Sequence, residues 1–227
     1  MKEMTTGVYY ILTFGLLIAS LIISASVKSQ FRKYSSVAAP FTGRQAAERI
    51  LRANGIYDVA ITGIGGTLTD NYSPTNKTLN LSENVIDTAS VAAVAIAAHE
   101  SGHAIQHAQG YVPLNIRKTL VPAANICSRF SYIFVLLGLF LQQFSFLIDV
   151  GVIMFAVVVL VHLVTMPVEV NASKRALANM ESLVLVSADS EGTARKLLNA
   201  AALTYFVSLA SVLVQFLRLL SLARRRN

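Results

Sequence analysis

Apolar runs of membrane length constrain this chain before any motif does. Thr6 to Val27 is the first, and about Ile126 to Leu141, Phe146 to Met166 and Ala201 to Leu222 follow. A helical bilayer crossing takes about 20 apolar residues. In lipid every backbone polar group needs an internal partner, so such runs fold as helices. With 54% hydrophobic residues over 227 positions, the chain is too apolar for an ordinary soluble domain. The expected fold is mainly α: a polytopic membrane helix bundle, with smaller elements between the spans.

The first run exceeds the apolar core of a signal peptide, about 7–15 residues, and reads as an uncleaved span over residues 1–28. Lys2 and Glu3 precede it, and Lys28, Arg32 and Lys33 follow as a positive stop on the cytoplasmic side. The formal net charge of +7 fits basic residues facing anionic lipid headgroups. No basic patch is interleaved with aromatics, which argues against nucleic acid as a partner. A single cysteine, Cys127, cannot form an internal disulfide.

Between the spans lies His99-Glu100-Ser101-Gly102-His103, which fits H-E-x-x-H. On a helix, residues four apart share a face, so both imidazoles reach one metal ion. Glu100 projects beside them, where an attacking water would sit. Zinc lowers the pKa of such a water towards about 7, within reach of a carboxylate base. His107 extends the stripe, but i+8 lies about 12 Å along the helix from His99, too far for all three to bind one ion. This zincin-like helix is expected from about Ser90 to Gln109, capped by Asp87, Thr88 or Ser90 and ended by Gly110. Its alanine-rich first half suits close helix packing.

Residues 29–125 form the expected membrane-proximal catalytic region. Thr42 can cap a helix over Gly43 to Ala53 that ends at Gly55. Tyr57 to Thr62 reads as a strand, Asp70 to Asn76 as turns, and Lys77 to Ser82 as a half-exposed strand, together a small β-hairpin. The second strand either offers a free edge to an extended peptide or is purely structural. Residues 126–166 read as a tight transmembrane hairpin with its tip near Gln142, Gln143 and Ser145; His162 lies near its returning end. Thr165 and Pro167 signal the start of a helix over 167–200, where Glu169, Ala172, Ser173 and Ala176 share a face. The hairpin returns Glu169 to the side it left, making it the best candidate for a third metal ligand. Ser187, Ser190 and Gly192 suggest a turn before the last run, which with its basic tail, Arg224 to Arg226, occupies 201–227.

These residues resemble the YugP-type membrane zinc metallopeptidases of bacteria. The resemblance rests on Ala98-His99-Glu100 with Gly102-His103-Ala104-Ile105-Gln106-His107-Ala108, on Pro113-Leu114 with Arg117, and on Pro167-Val168-Glu169 with Ala172-Ser173 and Arg175-Ala176. Leu68-Thr69-Asp70, Tyr72, Pro74 and Lys77 add to it. More distantly, the layout is similar to that of the HtpX-type membrane proteases. The resemblance implies Zn2+ as cofactor, His99, His103 and Glu169 as ligands, and Glu100 as general base. It departs at Asn171, where the family has Asp, at Asn71, where it has His, and at Ser101, where a branched apolar residue is commoner. These positions bear on the tuning of the metal. His107, Asn171, Ser173 and Arg175 are candidates for orienting a ligand or supporting an oxyanion.

The expected function is hydrolysis of membrane or membrane-adjacent polypeptides by an integral-membrane zinc endopeptidase, with the lipid bilayer as its other partner. The alternative is a non-catalytic scaffold or assembly factor with a structural zinc closed by four ligands. Oligomeric state is not readable from the sequence. Fourteen of the nineteen Lys and Arg residues lie between the first and last apolar runs, which places the site on the cytoplasmic side of a bacterial cell membrane. Four full crossings then put Arg224 to Arg226 outside, so either the last helix stops short or the charge rule fails there.

Overall fold

The computed structural model describes residues 5–224; Lys2, Glu3, Arg225 and Arg226 lie outside the described residues. The fold is mainly α, with four helices long and apolar enough to cross a membrane: α1 (Thr6–Ser35), α5 (Val112–Phe140), α6 (Leu147–Ser182) and α7 (Ala188–Arg224). Between α1 and α5 come α2 (Gly43–Ala53), β1 (Ala60–Ile64), β2 (Asn71–Ser73), β3 (Thr78–Ser82), α3 (Glu83–Ile86) and α4 (Val91–Ala108). The chain divides into two compact units: residues 23–114 with 167–203, and residues 1–22 with 115–166 and 204–227.

The first unit carries the short elements. Thr42 caps α2 through a capping box: its side chain accepts from the Gln45 amide, and its own amide donates to Gln45 Oε1 at 3.0 Å. Gly55, at φ +71°, follows the helix in the left-handed conformation that glycine takes without strain. Ser90 caps α4 by accepting from the Ala93 amide at 3.2 Å. Ala46, Ala47, Ile50 and Leu51 of α2 share a core with Leu79 and Leu81 of β3, Val85 and Ile86 of α3, and Val91 to Ala98 of α4. Fully buried alanines and valines in α4 let its neighbours approach closely.

The sheet has the order β1-β3-β2. β2 and β3 form an antiparallel hairpin with Tyr72 opposite Leu79, and β1 joins parallel to β3 with Ile61 opposite Leu79. The hairpin partner of β3 is therefore the short strand within the turn-rich 70–76 stretch, not the 57–62 strand. β3 lies in the middle, so the free edges belong to β1 and β2, and peptide addition to β3 itself is excluded. Asp70 ties the loop before β2 to Ser82, accepting from its amide at 2.7 Å and its hydroxyl at 3.0 Å.

In the second unit, a turn of 3-10 helix at Gln142–Phe144 joins α5 to α6. Glycines bring the two helices together: a Cβ on Gly138 would stand 2.7 Å from Ile148 Cγ1, and one on Gly151 would stand 2.6 Å from the Ser131 carbonyl oxygen. Val135, Ile148, Val152, Phe155, Val159, Leu219 and Ala223 form its core. Pro167 does not begin a helix; it lies inside α6, which runs unbroken to Ser182. α7 opens at Ala188, so Ser190 and Gly192, expected in a turn, lie within its first turns.

Candidate metal centre

The site is assembled in the first unit from α4 and the part of α6 after Pro167. Gly102 makes the approach possible: a Cβ there would stand 2.6 Å from the Ala172 carbonyl oxygen. One turn earlier on α6, Glu169 projects between the two imidazoles. Its Oε2 lies 3.2 Å from His99 Nε2 and 3.4 Å from His103 Nε2. Glu169 is 2% exposed, and His103 and Glu100 are also buried. Among the described residues, His99, His103 and Glu169 offer three ligand atoms within 4.8 Å of one another, a group able to hold a metal ion. Two imidazole nitrogens and one carboxylate oxygen suit zinc and leave a fourth position open.

Gln106 determines how His103 faces this point. The amide is fully buried. Its Nε2 donates to the Val168 carbonyl at 2.8 Å, and a backbone carbonyl can only accept, which fixes the orientation of the amide. Gln106 Oε1 then accepts from His103 Nδ1 at 3.0 Å. With its proton on Nδ1, a neutral His103 keeps the Nε2 lone pair for a metal, and only the ring protonated on both nitrogens donates from Nε2 to Glu169. On the other imidazole, Ser173 Oγ lies 3.1 Å from His99 Nδ1.

The network continues outward. Asn171 Oδ1 accepts from Gln106 Nε2 at 2.9 Å and from Arg175 Nε at 2.7 Å. Arg175 Nη1 donates to Gln109 Oε1 at 2.6 Å. Arg175 thus reaches His103 only through Asn171 and Gln106. His107 pairs elsewhere, its Nδ1 2.8 Å from the Tyr72 hydroxyl on β2. His162 Nδ1 bonds the Val158 carbonyl of its own helix at 2.9 Å, a local contact. Ser101 donates back to the Ala97 carbonyl at 2.7 Å, so its buried hydroxyl is satisfied. Asn71 is held within the sheet, accepting from Asn80 Nδ2 at 2.9 Å.

Burial alone lowers the proton affinity of His103. The hydrogen bond to Glu169, the charges of Glu100 and Glu169, and the bond to Gln106 outweigh it, so the imidazole pKa ends above its usual range. The buried carboxylates beside the imidazoles therefore favour positive charge at this point. Among the described residues no hydrogen bond holds the Glu100 carboxylate, which leaves its oxygens open to a proton from a reacting group.

Gln106 was not singled out among the sequence candidates. Its only local signal is a buried amide one turn beyond His103; its other partners, Val168 and Asn171, are 62 and 65 residues away in the chain.

Comparison with known proteins agrees with this geometry. No solved structure matches the chain. It is 40% identical over 212 residues, 92% of its own length and 94% of the relative's, to the "Putative membrane protease YugP" of Bacillus subtilis (strain 168). Residues 9–224 match the family described as "Putative neutral zinc metallopeptidase". Coverage of nearly the whole chain by that family, together with a two-histidine, one-carboxylate cluster on its H-E-x-x-H helix, identifies the chain as a member of the neutral zinc metallopeptidase family.

Proposed function

We propose that this chain is an integral-membrane zinc endopeptidase that cuts membrane or membrane-adjacent polypeptides on the cytoplasmic side of a bacterial cell membrane. The observation that carries the reading is the convergence of His99 Nε2, His103 Nε2 and Glu169 Oε2 within 4.8 Å, with Glu100 buried beside them and unbonded at its carboxylate. His99, His103 and Glu169 hold the ion. Zinc, when bound, supplies a Lewis acid that polarises the peptide carbonyl and brings the pKa of a water into the neutral range.

Glu100 takes a proton from the attacking water on its carboxylate as the new C–O bond forms. It returns that proton to the amine nitrogen as the C–N bond breaks. Gln106 keeps His103 in the tautomer that ligation needs, and Ser173 steadies His99. Burial of Glu169 keeps bulk water from competing for its carboxylate.

The scaffold alternative needs a closed, four-ligand site. The three-donor cluster, with His107 engaged by Tyr72, favours an open one. The cytoplasmic assignment rests on the basic residues that flank the apolar runs. The test is cleavage of an unfolded protein substrate by the purified full chain, stripped of metal and then restored with zinc. Activity that appears with zinc and is blocked by a hydroxamate supports the reading. A zinc-loaded protein that neither cuts nor binds the hydroxamate contradicts it.

A further inference from the structure

The first unit holds a second concavity that the metal centre does not use. A cleft of about 760 Å³ is lined by Lys28, Phe31, Arg32 and Ser35 of α1 and by Thr67, Leu68, Asn84 and Thr88. Such a volume lies within the ordinary range for small-ligand sites, about 300–1,000 Å³. Lys28 and Arg32 are one helical turn apart and share a face of α1.

Among the described residues, neither cation has a hydrogen bond or ion pair, and no carboxylate lines the cleft. The nearby Asp87 is turned to Arg44, at 3.7 Å. Two unneutralised cations facing a cleft with hydroxyl and amide walls call for a phosphate-bearing anion. Phe31 and Leu68 make part of the wall apolar, and Leu68 takes its place there at φ +57°, a conformation unfavourable for leucine. An apolar wall beside the cations suits an amphiphile better than a free inorganic ion. Lys28 is also the first charged residue after the apolar run of α1, and basic residues flanking a membrane-length run suit the phospholipid headgroups.

We infer that this cleft binds the headgroup of an anionic phospholipid, its phosphodiester between Lys28 and Arg32 and its glycerol against Thr67, Asn84 and Thr88. The inference is independent of the peptidase reading.

The test uses the detergent-solubilised full chain, titrated with phosphatidylglycerol or phosphatidylcholine and read by native mass spectrometry. The parent is expected to retain phosphatidylglycerol selectively. At roughly fivefold per cation, the Lys28→Ala/Arg32→Ala double variant should bind it about 30-fold more weakly. Thr88→Phe, which fills the cleft and leaves both charges, should also weaken binding; its zinc content and melting temperature report whether it is folded. Equal retention of the two lipids, or undiminished phosphatidylglycerol binding by either folded variant, overturns the inference. Inorganic phosphate that displaces the lipid at equal concentration also overturns it, since the site would then be built for the free ion.

Discussion

Gly102 against Ala172 in one unit and Gly151 against Ser131 in the other are the same steric device: at both, a Cβ would stand 2.6 Å from a carbonyl oxygen of the opposing helix. Their surroundings differ. Around the first lie Glu169, His99, His103, Gln106 and Ser173, joined by hydrogen bonds. Around the second lie Val135, Ile148, Val152 and Phe155. In that second unit large apolar groups also face outward, Ile11 at 73% and Phe140 at 82% exposed, as a lipid solvent would favour. Close approach is thus a matter of small residues in both places, but only in the first does it bring chemistry together. A missing side chain sets the distance, and the buried polar partners decide what that distance is used for.

Five measurements separate the two helix contacts. The largest effect is expected from Glu100→Gln, which removes the proposed base and leaves the proposed ligands: peptidase activity should fall about 10²–10⁴-fold with zinc content unchanged. Unaltered activity would break the assignment. Glu169→Ala removes a ligand, so zinc affinity, measured by competition with a chelator dye, should fall by more than the roughly 100-fold typical of outer partners. Gln106→Ala should weaken zinc binding about 10–100-fold, because His103 loses the acceptor that sets its tautomer. Gly102→Ala and Gly151→Ala should each cost about 1–3 kcal/mol in thermal or denaturant unfolding. Gly102→Ala alone should also lower zinc affinity, and equal effects of the two on zinc would erase the contrast. The smallest effect is on pH. His103 has a raised pKa, so zinc must displace a proton held more tightly than on a free imidazole. Affinity should then rise with pH up to that raised value, by at most about tenfold per unit for one proton, and level off above it.

Local signals were legible in the sequence. The Thr42 cap, the glycines at 55 and 110, and the i, i+4 histidines are each encoded within a few residues, and α2 and α4 form close to where those signals put them. Long-range pairing was not. β2 is three residues of turn-forming type, Asn71, Tyr72 and Ser73, and becomes a strand only because β3 offers a ladder. Pro167 carries a helix-start signal, yet α6 runs through it; a proline inside a helix costs about 3 kcal/mol, which packing rather than local preference must offset. Glu169 was accessible from the hairpin argument, since a tight turn between two spans returns the chain to its starting side. Gln106 was not, because a buried glutamine shows its purpose only when Val168 and Asn171 are folded against it.

Zinc K-edge absorption spectroscopy of the zinc-loaded parent, alongside Glu169→Ala, reads the ligand set itself. The account predicts two imidazole nitrogens and one protein carboxylate oxygen at about 2.0–2.2 Å, with a remaining position filled by solvent, and loss of the carboxylate contribution in the variant. Four protein ligands in the parent, or identical spectra for parent and variant, would contradict it.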